Sequence, residues 1–391
     1  MNFYDELRQY DWTGIEREIR RRTPADVERA LGAGALTMDD FMSLVSPAAE
    51  PFIEEMARKA HRLTVRRFGR IIGMFAPLYV SNVCTNRCVY CGFNAGNSVE
   101  RRTLSVEQAV HEGRAINALG FRHLLLVCGE APRIVTMEYL TGITERLRSL
   151  FGSLAVEIFP LSTEEYERLI AAGVDGLTVF QETYNESVYK EVHPKGRKSD
   201  FGWRLETPTR GGWAGFRKIG LGALLGLTDW RTESFFLALH ARWLMKNFWK
   251  SQVSFSFPRL RPAAGAFQPP CPVSDLNMVQ MMTALRLLLP DAGLTLSTRE
   301  SADLRDHLIP LGITSMSAGS HTEPGGYAER SEAEAQFKIA DERSPAAVAA
   351  VIREKGYEPV WKDWDAAFLH RNAPAAVNTD CGERGRPCGS P

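Results

Sequence analysis

An excess of charge of either sign is missing: the 391 residues carry 47 basic and 47 acidic side chains, a formal net charge of zero. No overall field draws the chain to nucleic acid or to an anionic membrane, and neither partner is expected. Long apolar runs are missing too. Stretches such as 71–80 and 219–227 fall well short of the ~20 residues that cross a bilayer. The opening Met1-Asn2-Phe3-Tyr4-Asp5-Glu6-Leu7-Arg8 has acids where a signal peptide would have an apolar core. Cysteine is scarce and odd in number, seven in all, with three inside one eight-residue stretch. That excludes a disulfide scaffold and points to a reducing compartment, so a cytoplasmic location is expected. No Gly-x-Gly-x-x-Gly stands at the first strand-to-helix turn, which weighs against a dinucleotide fold. What is present is enough apolar sequence, 44% against 24% charged, to build a globular core.

The first seventy residues read as a helical N-terminal extension, 1–70. Thr23-Pro24-Ala25-Asp26 offers an N-cap, proline at the first helical position and an acid at the third, and Thr37-Met38-Asp39-Asp40 is a second start. Ile53, Met56, Ala57, Ala60 and Leu63 recur at helical spacing before a stop at Gly69. Arg20-Arg21-Arg22 suits the C-terminal pole of a helix.

From residue 71 short apolar runs alternate with amphipathic stretches. Strands are predicted at 75–82, 123–127, 154–159, 176–180, 218–225, 252–257, 294–297 and 314–318. Helices are predicted at 105–119, 137–150, 163–172, 232–250, 274–288 and 301–309. Runs that do not alternate cleanly suit a parallel sheet covered on both faces. Eight of them predict an α/β fold, a (β/α)8 TIM-type barrel over 71–321, with an open doubly wound sheet as the structural alternative. A C-terminal extension packed on the barrel is expected over 322–371, and a mobile tail over 372–391.

The chemistry concentrates in Ser81-Asn82-Val83-Cys84-Thr85-Asn86-Arg87-Cys88-Val89-Tyr90-Cys91-Gly92-Phe93-Asn94. Thiols separated by three and then two residues can wrap one iron–sulfur cubane and leave its fourth iron open. Zinc is the alternative, but it normally takes four ligands in paired clusters, and His61, His111 and His123 show no such spacing. The loop follows the first strand, at the barrel face where sites are built.

This C-x3-C-x2-C motif, with an aromatic residue before its third cysteine and Gly-Phe after it, resembles the radical S-adenosylmethionine superfamily. Phe180-Gln181-Glu182-Thr183-Tyr184, Trp203-Arg204-Leu205-Glu206-Thr207-Pro208, Lys218-Ile219-Gly220-Leu221-Gly222-Ala223-Leu224, Ser256-Phe257-Pro258-Arg259-Leu260-Arg261-Pro262 and Leu296-Ser297-Thr298-Arg299-Glu300 narrow the likeness. From about Asp11 to Asp365 the chain resembles the 2-iminoacetate synthases, the tyrosine lyases of thiamine biosynthesis. The resemblance implies a [4Fe-4S] cluster, S-adenosylmethionine and an external one-electron reductant. It implies cleavage of the Cα–Cβ bond of L-tyrosine to p-cresol and 2-iminoacetate, and a thiazole synthase as the partner that receives the imine.

The resemblance also assigns residues. Cys84, Cys88 and Cys91 would hold the cluster, and Tyr90 would lay its ring against the adenine unless it simply packs the loop. Gly129-Glu130 matches the family's contact to the methionine amino group, and Arg204 is the candidate for the methionine carboxylate. Cys128 reads as a small buried residue. Glu157, an acid inside an apolar strand, either faces a ligand cavity, as a cofactor contact, or pairs with an arginine. Gln181 and Glu182 end the fourth strand within reach of cofactor or substrate. Arg299, a two-point clamp for a carboxylate, is assigned to tyrosine with Ser297 in support, or else pairs with Glu300 or Glu157. Ser317 is a lesser candidate, and Arg259 and Arg261 serve either the pocket or the barrel. Lys195-Gly196-Arg197-Lys198 reads as a solvated loop or part of a lid.

Three rivals stand beside this reading. The hydrogenase-maturation relatives also split tyrosine but carry a second C-terminal cluster on three cysteines, whereas Cys381 and Cys388 are the two thiols of this tail. Tryptophan-processing relatives differ in substrate. A non-enzymatic electron carrier would normally close all four irons with cysteine.

Overall fold

A computed structural model describes residues 2–265 and 267–362. The expected tail, with Cys381 and Cys388, and the end of the 322–371 extension lie outside the described residues. Short polar side chains start the N-terminal helices. Asn2, Asp11, Thr23 and Thr37 cap α1 (Phe3–Leu7), α2 (Trp12–Arg21), α3 (Pro24–Gly32) and α4 (Met38–Leu44) by accepting hydrogen bonds from backbone N–H groups in the first turn. The next helix, α5 (Ile53–Phe68), ends at Gly69, whose φ of 73° suits a residue without a Cβ.

Eight parallel strands follow: β1 (Ile71–Ser81), β2 (His123–Cys128), β3 (Ser153–Glu157), β4 (Gly176–Glu182), β5 (Lys218–Ala223), β6 (Gln252–Ser256), β7 (Gly293–Leu296) and β8 (Ser315–Ser317). Each pairs with the next, and β1 pairs with both β2 and β8, so the sheet closes into the expected barrel. The wall helices are α6 (Val106–Ala118), α7 (Met137–Leu147), α8 (Thr163–Ala171), α9 (Glu186–Val192), α10 (Phe201–Leu205), α11 (Thr207–Ala214), α12 (Trp230–Asn247), α13 (Asp275–Leu288) and α14 (Ala302–Leu308). The stretch between β4 and β5 departs from expectation. Its three helices have 7, 5 and 8 residues, too short to show a helical period.

The N-terminal layer is sewn to the barrel through buried polar groups. Arg231 on α12 donates to the Val45 carbonyl at 2.6 Å, and Gln280 on α13 donates to the carbonyls of Leu44 and Ser46. Covered by strands on one side and by this layer on the other, α12 is buried over most of its surface. Beyond β8 the chain crosses the top of the barrel, then forms α15 (Pro345–Glu354) and a ninth strand, β9 (Glu358–Val360). Gly73 pairs with Ser315 of β8 on one edge and with Val360 of β9 on the other. Since β2 joins β1 from Ala76 onward, β9 and β2 share one edge of the long first strand. Among the described residues no helix is long and apolar enough to cross a membrane.

The barrel interior is not packed solid. Bulky branched residues normally fill such a lumen. Here Ala155, Ser254, Ser256, Thr295 and Ser315 line it and leave space. A Cβ on Gly222 would fall 2.7 Å from the Phe180 ring, so this glycine makes room for an aromatic wall.

Candidate active site

The loop after β1 carries the three thiols and is held from several sides. Arg101 donates to the carbonyls of Asn82, Phe93 and Asn94 at 2.7–2.9 Å, clamping the loop from within. The backbone N–H groups of Arg87, Val89 and Gly92 donate to the carbonyls of Lys195, Val192 and Gln336. At the end of β2, Thr85 donates through both its N–H and its hydroxyl to the Glu130 carbonyl at 2.9 Å. A Cβ on Gly129 would stand 2.4 Å from the Val83 carbonyl oxygen. The missing Cβ lets the thiol loop approach closely, and Gly129 also lines the cavity beside it.

Cys84, Cys88 and Cys91 line one cavity together with Cys128, Gly129, Glu130, Glu157, Glu182, Lys198 and Arg204. Burial pushes the Cys88 thiol up to about 12 and Cys91 to about 11, so binding iron must displace their protons. Among the described residues no three His, Cys, Asp or Glu side chains converge closely enough for a single metal ion. Three thiols spread along one loop suit a cubane, whose thiolates each meet a different iron.

The cavity's charges are ordered. Glu130 accepts from the Asn86 amide at 2.7 Å. Glu182 receives Lys198 Nζ at 2.6 Å and Arg204 at 3.4 Å, and Arg204 also donates to the Phe180 carbonyl. Burial works to raise Glu182, but the two cations win and hold its carboxyl below the ordinary range. The register of β4 slips between Phe180 and Glu182, and Glu182 has a φ of 72°, a left-handed backbone found at no other described residue except glycines. A bulge and a strained residue turn this carboxylate inward. Gln181, at the slip, is among the lining residues of neither cavity, and its buried amide has no hydrogen-bond partner among the described residues.

Tyr90 is anchored by a hydrogen bond. Its side chain packs among Val89, Val192, Leu224 and Leu227, with Nζ of the cavity-lining Lys198 lying 5.7 Å from its ring centroid, and its hydroxyl meets His193 Nε2 at 2.7 Å. His193 Nδ1 lies 2.8 Å from the Tyr189 carbonyl, which fixes the proton on that nitrogen and makes Nε2 the acceptor. Burial pulls His193 down to about 3, so the ring stays neutral. The bond to His193 fixes the phenol end of Tyr90, beside Lys198 at the cavity's edge. Of the two readings of 195–198, Lys198 fits the lid and not the solvated loop: its side chain is 13% exposed and lines the cavity.

A second cavity runs from the first into the barrel. Tyr79, Glu157, Ser256, Ser297, Arg299 and Phe337 are among its lining residues, and Ser317 is there too. Arg299 lies flat on the Phe337 ring, 3.3 Å from its centroid, and makes no ion pair with a described residue. Glu300 is taken by Arg259 and by Arg261 at 2.7 Å, so these two arginines serve the barrel and leave Arg299 to the cavity. Ser297 Oγ accepts from the Arg299 N–H at 3.4 Å. Phe337 arrives on the crossing segment 322–341, where Gln336 accepts from the Tyr79 hydroxyl at 2.8 Å. The segment is pinned by Asp341, buried against Arg305 and Arg343. Lys198, Phe337, Gln336 and Arg101 were not foreseen. The one signal for Lys198 was Glu182 itself, a buried acid that had to find a cation.

Residues 78–238 match the Radical SAM superfamily, and residues 256–358 match the Biotin and Thiamin Synthesis associated domain. The chain is 49% identical over 365 residues to 2-iminoacetate synthase of Escherichia coli (strain K12), covering 93% of this chain and 97% of that protein. Among solved structures it superposes on the FeFe-hydrogenase maturase HydG from Carboxydothermus hydrogenoformans with a TM-score of 0.82. That match has 35% identity and covers 94% of this chain and 84% of the other. Methylornithine synthase (PylB) matches in fold, with a TM-score of 0.70, 18% identity, and 86% and 97% coverage.

Proposed function

The chain belongs to the 2-iminoacetate synthase family of radical S-adenosylmethionine enzymes, and from that premise we infer how its own residues divide the work. It is a carbon–carbon lyase that splits the Cα–Cβ bond of L-tyrosine into 2-iminoacetate and p-cresol, forms 5′-deoxyadenosine and methionine, and supplies thiamine thiazole synthesis. The observation that carries this is identity of 49% along 97% of the Escherichia coli enzyme. The thiol triplet opening onto a cavity, with Arg299 at the cavity's inner end, agrees with it.

Cys84, Cys88 and Cys91 would hold the [4Fe-4S] cluster, and Gly129, Glu130 and Arg204 would frame S-adenosylmethionine beside it. Bound together and given an electron, these cofactors supply hydrogen-atom abstraction. Glu130 presents a carboxylate suited to an ammonium group, while Arg204, shared with Glu182, suits a carboxylate. Glu182 acts by fixing Lys198 and Arg204 rather than on tyrosine. In the inner cavity Arg299, stacked on Phe337, keeps its guanidinium edge for the tyrosine carboxylate, with Ser297 alongside. The closed barrel and the crossing segment exclude water that would quench a radical or hydrolyse an imine. A one-electron reductant is required. The imine's lability favours direct delivery to a thiazole synthase, and the cytoplasm is the compartment that suits the reduced thiols.

The test is an anaerobic assay of reconstituted protein with dithionite, S-adenosylmethionine and tyrosine, read by mass spectrometry. Deoxyadenosine with p-cresol and glyoxylate (the hydrolysed imine), and no cyanide, is the expected result. Cyanide would move the chain to the hydrogenase-maturation activity. Deoxyadenosine without p-cresol would leave the radical chemistry and remove the substrate.

A further inference from the structure

The two cavities meet at one side chain that can carry a proton. Glu157 ends β3 and lines both, whereas Val127, Thr178 and Phe180, which share the boundary, have no acid or base to offer. Glu157 is also the one carboxylate lining the inner cavity among the described residues. The groups that face it are Arg299 after β7, Glu182 at the end of β4, Arg204 on α10, Lys198 in the loop before α10, and Tyr79 on β1.

Tyrosine's amino group sits one carbon from the carboxylate that Arg299 would hold, and Glu157, on which Arg299 acts most strongly of the cations, lines the same cavity. Nitrogen and Cβ are both bonded to Cα, so one carboxylate with two oxygens reaches both. We propose that Glu157 carries the reaction's proton, taking it from the tyrosine ammonium group and returning it to the benzylic carbon of the departing fragment. The proposal rests on the tyrosine-lyase reading above.

The balance closes on the substrate. Tyrosine enters with three hydrogens on nitrogen. One passes to Glu157 as a proton, leaving a neutral amine, and a second leaves as a hydrogen atom to the deoxyadenosyl carbon. The Cα–Cβ bond then breaks. One of its electrons completes the C=N bond of 2-iminoacetate, and the other stays on the benzylic carbon. An electron from the one-electron reductant and the proton held by Glu157 complete the methyl group of p-cresol, and Glu157 is a carboxylate again. Burial pushes Glu157 up from 4.5 to about 7, with Arg299 pulling the other way, so both forms are accessible near neutral pH. Burial drives Tyr79 upward as well, which removes it as an acid there.

Glu157→Gln in the reconstituted enzyme tests this, with p-cresol formation and tyrosine binding by equilibrium dialysis as separate readouts. Formation should fall by about 10²–10⁴-fold, while tyrosine affinity stays within about threefold. Wild-type kcat/KM should drop about tenfold per pH unit below pH ~7 as the base is protonated, a limb absent from tyrosine binding and from the variant's residual rate. Glu157→Asp, which keeps a carboxyl, should keep the limb and recover part of the rate. A glutamine variant with near wild-type turnover, one that loses tyrosine binding instead, or a wild-type profile flat across neutral pH would each overturn the assignment. Wild-type protein that makes no p-cresol would overturn the tyrosine-lyase reading and this proposal with it.

Discussion

Replacing Lys198 by methionine keeps the aliphatic stem and removes the charge on which Glu182 depends. The Glu182 carboxylate is 8% exposed and sits 2.6 Å from Lys198 and 3.4 Å from Arg204. Removing one partner of a buried pair costs roughly 3–5 kcal/mol, because the charge left behind is uncompensated. The longer contact to Arg204 survives here, so a loss near the lower end, about 3 kcal/mol, is expected. The pH dependence supplies a sign. In the wild type Glu182 is held below its ordinary 4.5, despite burial, by Lys198 and Arg204. It therefore stabilises the fold above that ordinary value and loses the contribution as pH falls through the folded value. Without Lys198, burial outweighs the remaining cation, Glu182 titrates above its ordinary range, and ionising it becomes destabilising as pH rises. The melting temperature of Lys198→Met should lie below wild type by roughly 3–4 °C at pH ~8, with the gap narrowing toward pH ~5. Calorimetry of both proteins at matched iron content reads this directly. A gap that is absent, or that stays constant across the range, would refute the claim that Lys198 neutralises Glu182.

Three further outcomes are expected. Cys88→Ala should lose the cubane, seen as missing iron and a missing reduced-cluster signal, while the barrel's circular dichroism is kept. Arg299→Ala should raise the KM for tyrosine about 10–100-fold, the worth of a charge-assisted hydrogen-bonded pair, and leave S-adenosylmethionine binding nearly intact; equal loss of both would show that the arginine belongs to the cofactor. Gly129→Ala forces a Cβ to within 2.4 Å of the Val83 carbonyl. The loop must shift at a cost of about 1–3 kcal/mol, and a variant with full cluster loading and unchanged cofactor affinity would show that the close approach is not needed.

Local information was legible in the sequence, and long-range information was not. The eight strands were found because each is a short apolar run between turn residues, and the thiols because their spacing within one loop is itself the ligand geometry. The ninth strand, Glu358-Pro359-Val360, has three residues and a proline, so it carries no period; pairing with β1 makes it a strand. Lys198 looked solvated because its neighbours Lys195 and Arg197 are exposed, and its destination lies across the cavity on β4. Tyr90 sits in the motif as expected, yet His193, some hundred residues later, decides where its ring points. Phe337 comes from a segment with no regular structure, and no pattern in 322–341 announces that an aromatic ring will lie under Arg299.

The double use of β1 bears on how the protein is made. Its start, Ile71 to Gly73, gains its β9 neighbour only when residues about 290 positions later have left the ribosome, which at ~5–20 residues per second is a wait of roughly 15–60 s. Through that interval the nascent chain holds an unpaired, apolar edge and a thiol loop whose Gln336 anchor has not yet been synthesised. Iron delivered in that interval would meet a loop held by Arg101 and the Glu130 carbonyl but lacking its Gln336 anchor, so overexpression that outruns chaperones should give aggregated, iron-poor protein.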